Sequence, residues 1–248
     1  MQPEFLRKAD GASRPYDPYE VYDTSRVDQI NALFRCVYQW MAVGLILTAV
    51  AAYGVVSNVS LIRFFFSSQI PMAVVAVAEI GLVLWLGMGI NRISAGTAGF
   101  LFVAYSVLNG IMCSVLLMVY TQESVYTTFF STAGMFALMS VYGLYTKRDM
   151  TTMSGFFTMG LVGLLIAMLV NLFMRSSMME FVISIIGVIL FLGLTAYDTQ
   201  KIRRIGYELE DGEDGTAIRK AAIIGALELY LDFINIFIYL LRLFGRRR

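Results

Sequence analysis

Long apolar blocks separated by short charged joins organise this chain. Between Arg35 and Arg63 lie 27 residues without a charge. From Arg63 to Arg92 there is one, Glu79, near the middle. Further blocks run from Arg92 to Glu123, Glu123 to Lys147, Asp149 to Arg175 and Glu180 to Asp198. The last, from Lys220 to Arg242, encloses Glu228 and Asp232. Each supplies the roughly 20 helical residues that cross a bilayer, the first over about 37–57. Backbone polar groups must be satisfied within each segment in lipid, so the pattern predicts an all-α membrane protein with seven transmembrane helices, spans 1 to 7.

Residues 1–34 break the pattern. They are polar, mixed in charge, and hold three of the four prolines: Pro3, Pro15 and Pro18. No apolar core follows a short basic start, so a signal peptide is not expected. The segment reads as a largely disordered cytoplasmic tail ahead of a transmembrane domain over 35–248, with an amphipathic lead-in helix near 24–34. With that tail inside, inner segments carry 13 Lys and Arg and outer segments with the C-terminus carry 6, as the positive-inside rule prefers. If span 7 turned back instead of crossing, the division would be 17 to 2, and that alternative stays open.

Composition narrows the chemistry. The chain is 58% hydrophobic and 15% charged, against about 25% charged in soluble domains. Its net charge of +1 gives no basic surface for nucleic acid. There is no histidine, which removes histidine-assisted catalysis, histidine-ligated zinc and the usual switch near neutral pH. No enzyme and no cofactor are expected. Cys36 and Cys113 read as free thiols. The acidic 211–215 stretch lacks the calcium-loop ligand pattern and reads as a solvated loop.

An ionised carboxylate inside a span costs on the order of 3 kcal/mol or more, so acids placed there usually carry a function. Asp198 lies near the inner end of span 6. In span 7, Glu228, Asp232, Asn235 and Tyr239 follow at spacings of four, three and four, which form one narrow polar face on a helix. That face must be enclosed or line water. Asp198 approaches span 7 if span 6 continues to about Ile205 with its basic residues snorkelling. Depth alone does not choose between Glu228 and Asp232 as its partner. Two carboxyls that meet share a proton, and a rise in pH or a hard cation such as Ca²⁺ would disturb the pair. Glu79 needs a partner or a water path. Arg92 is either a lock on Asp198 or an interfacial arginine. Asn109 and Asn171 read as interhelical hydrogen-bond formers.

Three stretches carry a family resemblance. Gly193-Leu194-Thr195-Ala196-Tyr197-Asp198-Thr199-Gln200-Lys201 resembles the signature of the Bax inhibitor-1 family, also called the YccA or lifeguard family. Gly225-Ala226-Leu227 with Leu229-Tyr230-Leu231-Asp232-Phe233-Ile234-Asn235 resembles its last-helix motif, and Tyr142-Gly143 with Thr146-Lys147-Arg148-Asp149 its middle loop. The likeness covers about residues 30–248 and is nearest the bacterial branch. It implies six helices around a central C-terminal one, and a pH-sensitive calcium leak in which Asp198 and Asp232 are sensor and tentative calcium ligands. It implies a lock arginine, which Arg92 matches approximately. Glu228 departs from the family pattern, where a small polar residue is usual. Some relatives are tied to a membrane-embedded ATP-dependent protease. Two functions are therefore expected candidates: a cation leak of the bacterial inner membrane, or a non-conducting regulator of such a protease.

Overall fold

A computed structural model of the chain describes residues 18–89, 93–208 and 215–248. Arg92, residues 1–17 and the acidic 211–214 stretch fall outside the described residues. The helices are α1 (Pro18–Ser57), α2 (Val59–Phe66), α3 (Gln69–Gly89), α4 (Ala95–Val119), α5 (Gln122–Tyr145), α6 (Ser154–Met174), α7 (Ser177–Glu208) and α8 (Gly215–Phe244). Seven of them, all but α2, are long and apolar enough to cross a membrane. This is an all-α membrane protein.

Local sequence sets the helix ends. Ser94 and Thr121 cap α4 and α5, their hydroxyls accepting from Thr97 N at 3.1 Å and Ser124 N at 3.3 Å. Arg175 closes α6 in the left-handed region, φ 51°, with its amide on Asn171 O. Asn171 Oδ1 also accepts from Ser176 N at 3.0 Å, so this asparagine secures a turn. The short α2 was hidden in the join around Arg63. Asn58 caps it, none of its residues is buried, and it presents Val59, Leu61 and Phe64 outward. Such a helix suits a bilayer surface. Helix α1 is continuous from Pro18, and Ile30, Leu33 and Phe34 are buried in the core, so the lead-in helix is the first part of the bundle.

Burial ranks the spans. In α8, 61% of the most apolar stretch is buried within the protein; in α3 and α6 it is 11%. Helix α8 packs on α1, α4, α5 and α7, while α3 packs chiefly on α4 and α6 on α7. The central position of the last helix follows from this ranking. Outer helices turn Ile70, Val74, Val77, Met159, Leu172 and Phe173 to the surface, as lipid contact requires.

Close helix contact uses missing side chains. A Cβ on Gly110 of α4 would stand 2.5 Å from Thr48 O and 2.6 Å from Ala51 Cβ of α1. One on Gly143 of α5 would collide with the carbonyl oxygen of Ala196 in α7. Ala196 lies two residues before Asp198, so this contact sets where the acid sits.

The fate of the last span is settled by backbone bonds. Thr121 N donates to Arg246 O at 3.0 Å, and Arg248 N donates to Val119 O at 2.9 Å. The C-terminus is thus fastened to the α4–α5 turn, on the face opposite the end of α7 and the start of α8. Helix α8 is one continuous helix of 30 residues and does not turn back. The face bearing the α5–α6 turn, the end of α7 and the start of α8 is called the basic face below.

Gly143→Val should lower stability by about 1–3 kcal/mol, the range for overpacking, read as a fall in melting temperature in detergent. Single cysteines at Thr151 and Arg248 should react with an impermeant maleimide from opposite sides of a sealed vesicle.

Candidate proton and ion site

Asp198 of α7 and Asp232 of α8 meet. Their exposures are 8% and 3%, and their carboxyls lie within hydrogen-bond reach of each other. A hydrogen bond between two carboxyl groups requires that one of them carry a proton. Thr195, one turn before Asp198, also lies within hydrogen-bond reach of Asp232. Its hydroxyl donates to Phe191 O at 2.8 Å. It can keep that bond and accept from a protonated Asp232, or turn and donate to an ionised one. The second Asp232 oxygen, Oδ2, is buried without a partner. The partner of Asp198 is therefore Asp232.

Glu228 has a different partner. Its Oε1 accepts from Lys201 Nζ at 2.5 Å, with the two side chains 25% and 38% exposed, while its Oε2 is buried and unbonded. Lys201 follows Asp198 by one turn on α7, and Glu228 precedes Asp232 by one turn on α8. Four ionisable groups thus form two rungs between the same two helices, an acid–acid rung inside and an ion pair nearer the basic face. Glu228 remains within Coulombic range of both aspartates. Its own charge is matched by Lys201, which accounts for an acid where the family pattern has a small polar residue.

The rest of the expected polar face is satisfied elsewhere. Asn235 Nδ2 donates to Leu231 O of its own helix at 2.8 Å, so Asn235 does not join the aspartates. Tyr239 Oη donates to Met168 Sδ at 3.4 Å, a weak bond to α6. Among the described residues, no three or more acidic or thiol side chains gather in a geometry that would hold a metal. Calcium takes about six to eight oxygens, and two carboxyls turned on each other do not supply them. Asp198 and Asp232, the expected calcium ligands, face each other without the further oxygens that calcium takes.

A second polar nest lies across α8. Tyr230, two residues before Asp232 and so roughly 200° around the helix, is fully buried. Its hydroxyl donates to Asn109 Oδ1 at 3.1 Å and lies 2.6 Å from Thr48 Oγ1. Asn109 in turn lies within reach of the carboxyl of Glu79 in α3, whose Oε1 is buried without a partner. Asn109 is the interhelical connector expected of it, and Glu79 has found a polar neighbour at mid-span.

These three elements fall within the part of the chain that a family sequence model recognises. The model described as Inhibitor of apoptosis-promoting Bax1 matches residues 30–248. The chain belongs to the Bax inhibitor-1 family. Similar proteins include the inner membrane protein YbhL of Escherichia coli K12, 43% identical over 212 residues, covering 86% of this chain and 90% of that one. An uncharacterised protein of Deinococcus radiodurans is 45% identical over 221 residues, covering 89% and 93%. One of Borreliella burgdorferi is 44% identical over 218 residues, covering 88% and 93%.

Within this Bax inhibitor-1 fold, sequence reasoning missed two site residues. Lys201 was counted among loop cations, although its spacing of three from Asp198 puts both on one face of a continued helix. Tyr230 was hidden because a tyrosine in an apolar span carries no charge to mark it. Lys201→Met should destabilise the protein by about 1–3 kcal/mol by stranding Glu228, discounted for partial exposure. Lys201→Met with Glu228→Gln should regain most of that, a coupling that a double-mutant cycle of thermal unfolding measures.

Proposed function

We propose that the protein is a cation leak of the bacterial inner membrane, most directly for Ca²⁺, closed by the proton between Asp198 and Asp232. The contact of those two carboxyls on facing, buried helices carries the reading. Acid conditions keep the proton and the helices stay joined. Rising pH removes it and leaves two negative charges at hydrogen-bond distance. At about 3 Å and an effective dielectric constant of about 20, they repel by roughly 5 kcal/mol. The repulsion is relieved by separating α7 from α8 or by admitting a cation between them. Lys201 relieves it only in part, because its charge is shared with Glu228, which itself adds negative charge beside both aspartates. No residue in this reading performs catalysis.

The membrane and its orientation rest on two supports. The relative YbhL bears the name inner membrane protein. The excess of Lys and Arg supports a cytoplasmic basic face, with the N-terminus inside and the C-terminus outside. Glu79 and its asparagine lie on the far side of α8 as a second polar step for an ion that has passed the aspartates.

Purified protein in liposomes loaded with a calcium dye tests the reading. Wild-type influx should rise at least about ten-fold from mildly acid to mildly alkaline pH, well within what the repulsion supplies. Asp198→Asn and Asp232→Asn should each abolish that pH dependence, whereas Glu79→Gln should lower flux and leave the dependence in place. Equal flux from wild type, Asp232→Asn and empty liposomes would support the non-conducting regulator instead.

A further inference from the structure

The basic face holds a second built feature, separate from the aspartates. Helix α5 ends at Tyr145, and residues 146–149 turn into a short 3-10 helix, Met150–Met153, that leads to α6. This turn is fastened to α7 by one side chain. Gln200 Oε1 accepts from Met150 N at 2.7 Å, and its Nε2 donates to Arg148 O at 2.9 Å. Arg203 adds a bond from Nη1 to Leu144 O at 2.5 Å. The turn is therefore held in one shape against α7. Between them opens a cleft of about 380 Å³, lined by Lys147, Arg148, Asp149, Thr151, Gln200 and Arg204. Its volume lies within the range of about 300–1,000 Å³ usual for small-ligand sites.

The charge in the cleft is unbalanced. Three cations face one acid. Asp149 accepts from Thr151 Oγ1 at 2.5 Å and from Thr151 N at 2.9 Å. Those bonds hold its carboxyl below the usual carboxylate range, so it stays ionised and accounts for one of the three positive charges. The side chains of Lys147 and Arg148 have no acidic partner among the described residues. Arg204 lies within Coulombic range of Asp149. Two positive charges remain for an anion, and arginine's planar fork suits phosphate oxygens.

The surroundings decide between a soluble phosphate and a lipid. The cleft sits at the end of α5 and the start of α6, two helices long and apolar enough to cross a membrane, and the ends of such helices meet the headgroups. Its lining is flanked along the chain by exposed Tyr142 and Tyr145 on one side and by exposed Met153 and Phe156 on the other. A free phosphate gains nothing from that apolar border. A phospholipid places its phosphodiester in the basic cleft and its acyl chains along those side chains, and basic pockets between helices on the cytoplasmic side favour anionic headgroups. We propose that the cleft formed by the α5–α6 turn and α7 is a binding site for the phosphodiester of an anionic phospholipid.

Full-length protein in nanodiscs of phosphatidylcholine with a minority of phosphatidylglycerol tests this, with retained lipids counted by native mass spectrometry. Wild type should keep phosphatidylglycerol in preference to phosphatidylcholine. Arg148→Glu and Lys147→Gln, both at exposed positions, should each cut that retention about ten-fold, the scale of one or two surface charges. Arg63→Gln, on the opposite face, should leave it unchanged. Retention that is equal in wild type and both cleft variants would overturn the site. Inorganic phosphate is the second arm, read as a thermal shift of lipid-stripped protein in detergent. A shift abolished by Arg148→Glu, with no preference for phosphatidylglycerol in nanodiscs, would overturn the lipid assignment in favour of a soluble anion.

Discussion

Negative charge set between α7 and α8 must largely be neutralised inside the bundle, because little solvent reaches it. Much of the surrounding arrangement answers that requirement. Glu228 meets it with Lys201, and Asp198 and Asp232, within reach of each other, can meet it by sharing a proton. The two solutions differ in what they respond to. An ion pair is indifferent to moderate changes of pH, whereas a proton-bridged acid pair exists only while the proton does. Stacking one on the other gives the helix interface a fixed rung and a conditional rung, separated by about one helical turn.

Holding two acids in contact demands that the helices be placed by something other than the acids. Small residues do this. Gly143 lets α5 approach α7 at Ala196, just ahead of Asp198. On the other side of α8, Gly110 brings α4 against α1 at Thr48, which is the residue that meets the Tyr230 hydroxyl. Packing without side chains thus fixes the backbone beside each polar nest, and the polar groups themselves need contribute little to association. This matches the modest strength of interhelical hydrogen bonds in membranes, where the unfolded helices also find partners.

The bundle was legible in the sequence because charge is excluded from spans. Seven apolar blocks could be counted, and they are the seven long helices. The acid pair was legible as a place and not as a pairing. Asp198 and Asp232 stood out because a carboxylate in an apolar block is costly, and their contact rests on α7 running on past Ile205 to Glu208, the condition the sequence left open. Lys201 was among the basic residues expected only to snorkel, because its partner lies on another helix. The polar face over Glu228, Asp232, Asn235 and Tyr239 was right as a stripe on one helix. Whether each member faces a partner or its own backbone depends on the neighbouring helix, and spacing along one chain does not contain that. The full crossing of α8 was also out of reach, since it rests on amide bonds between residues 119–124 and 246–248.

The position of α8 constrains how such a bundle can open. Rotating α8 to part the aspartates would also swing Tyr230 away from Thr48 and Asn109, breaking the nest on its other side. Moving the basic end of α7 parts it from α8, and from its packing on α1 and α5, while leaving Tyr230 in place. That end of α7 is not free, for Gln200 and Arg203 tie it to the α5–α6 turn through Arg148 O, Met150 N and Leu144 O. A separation of the acid pair by α7 therefore carries the α5–α6 turn with it or breaks three bonds at its end. The separation of the acid pair and the shape of the basic cleft are in this way two readings of where one helix stands.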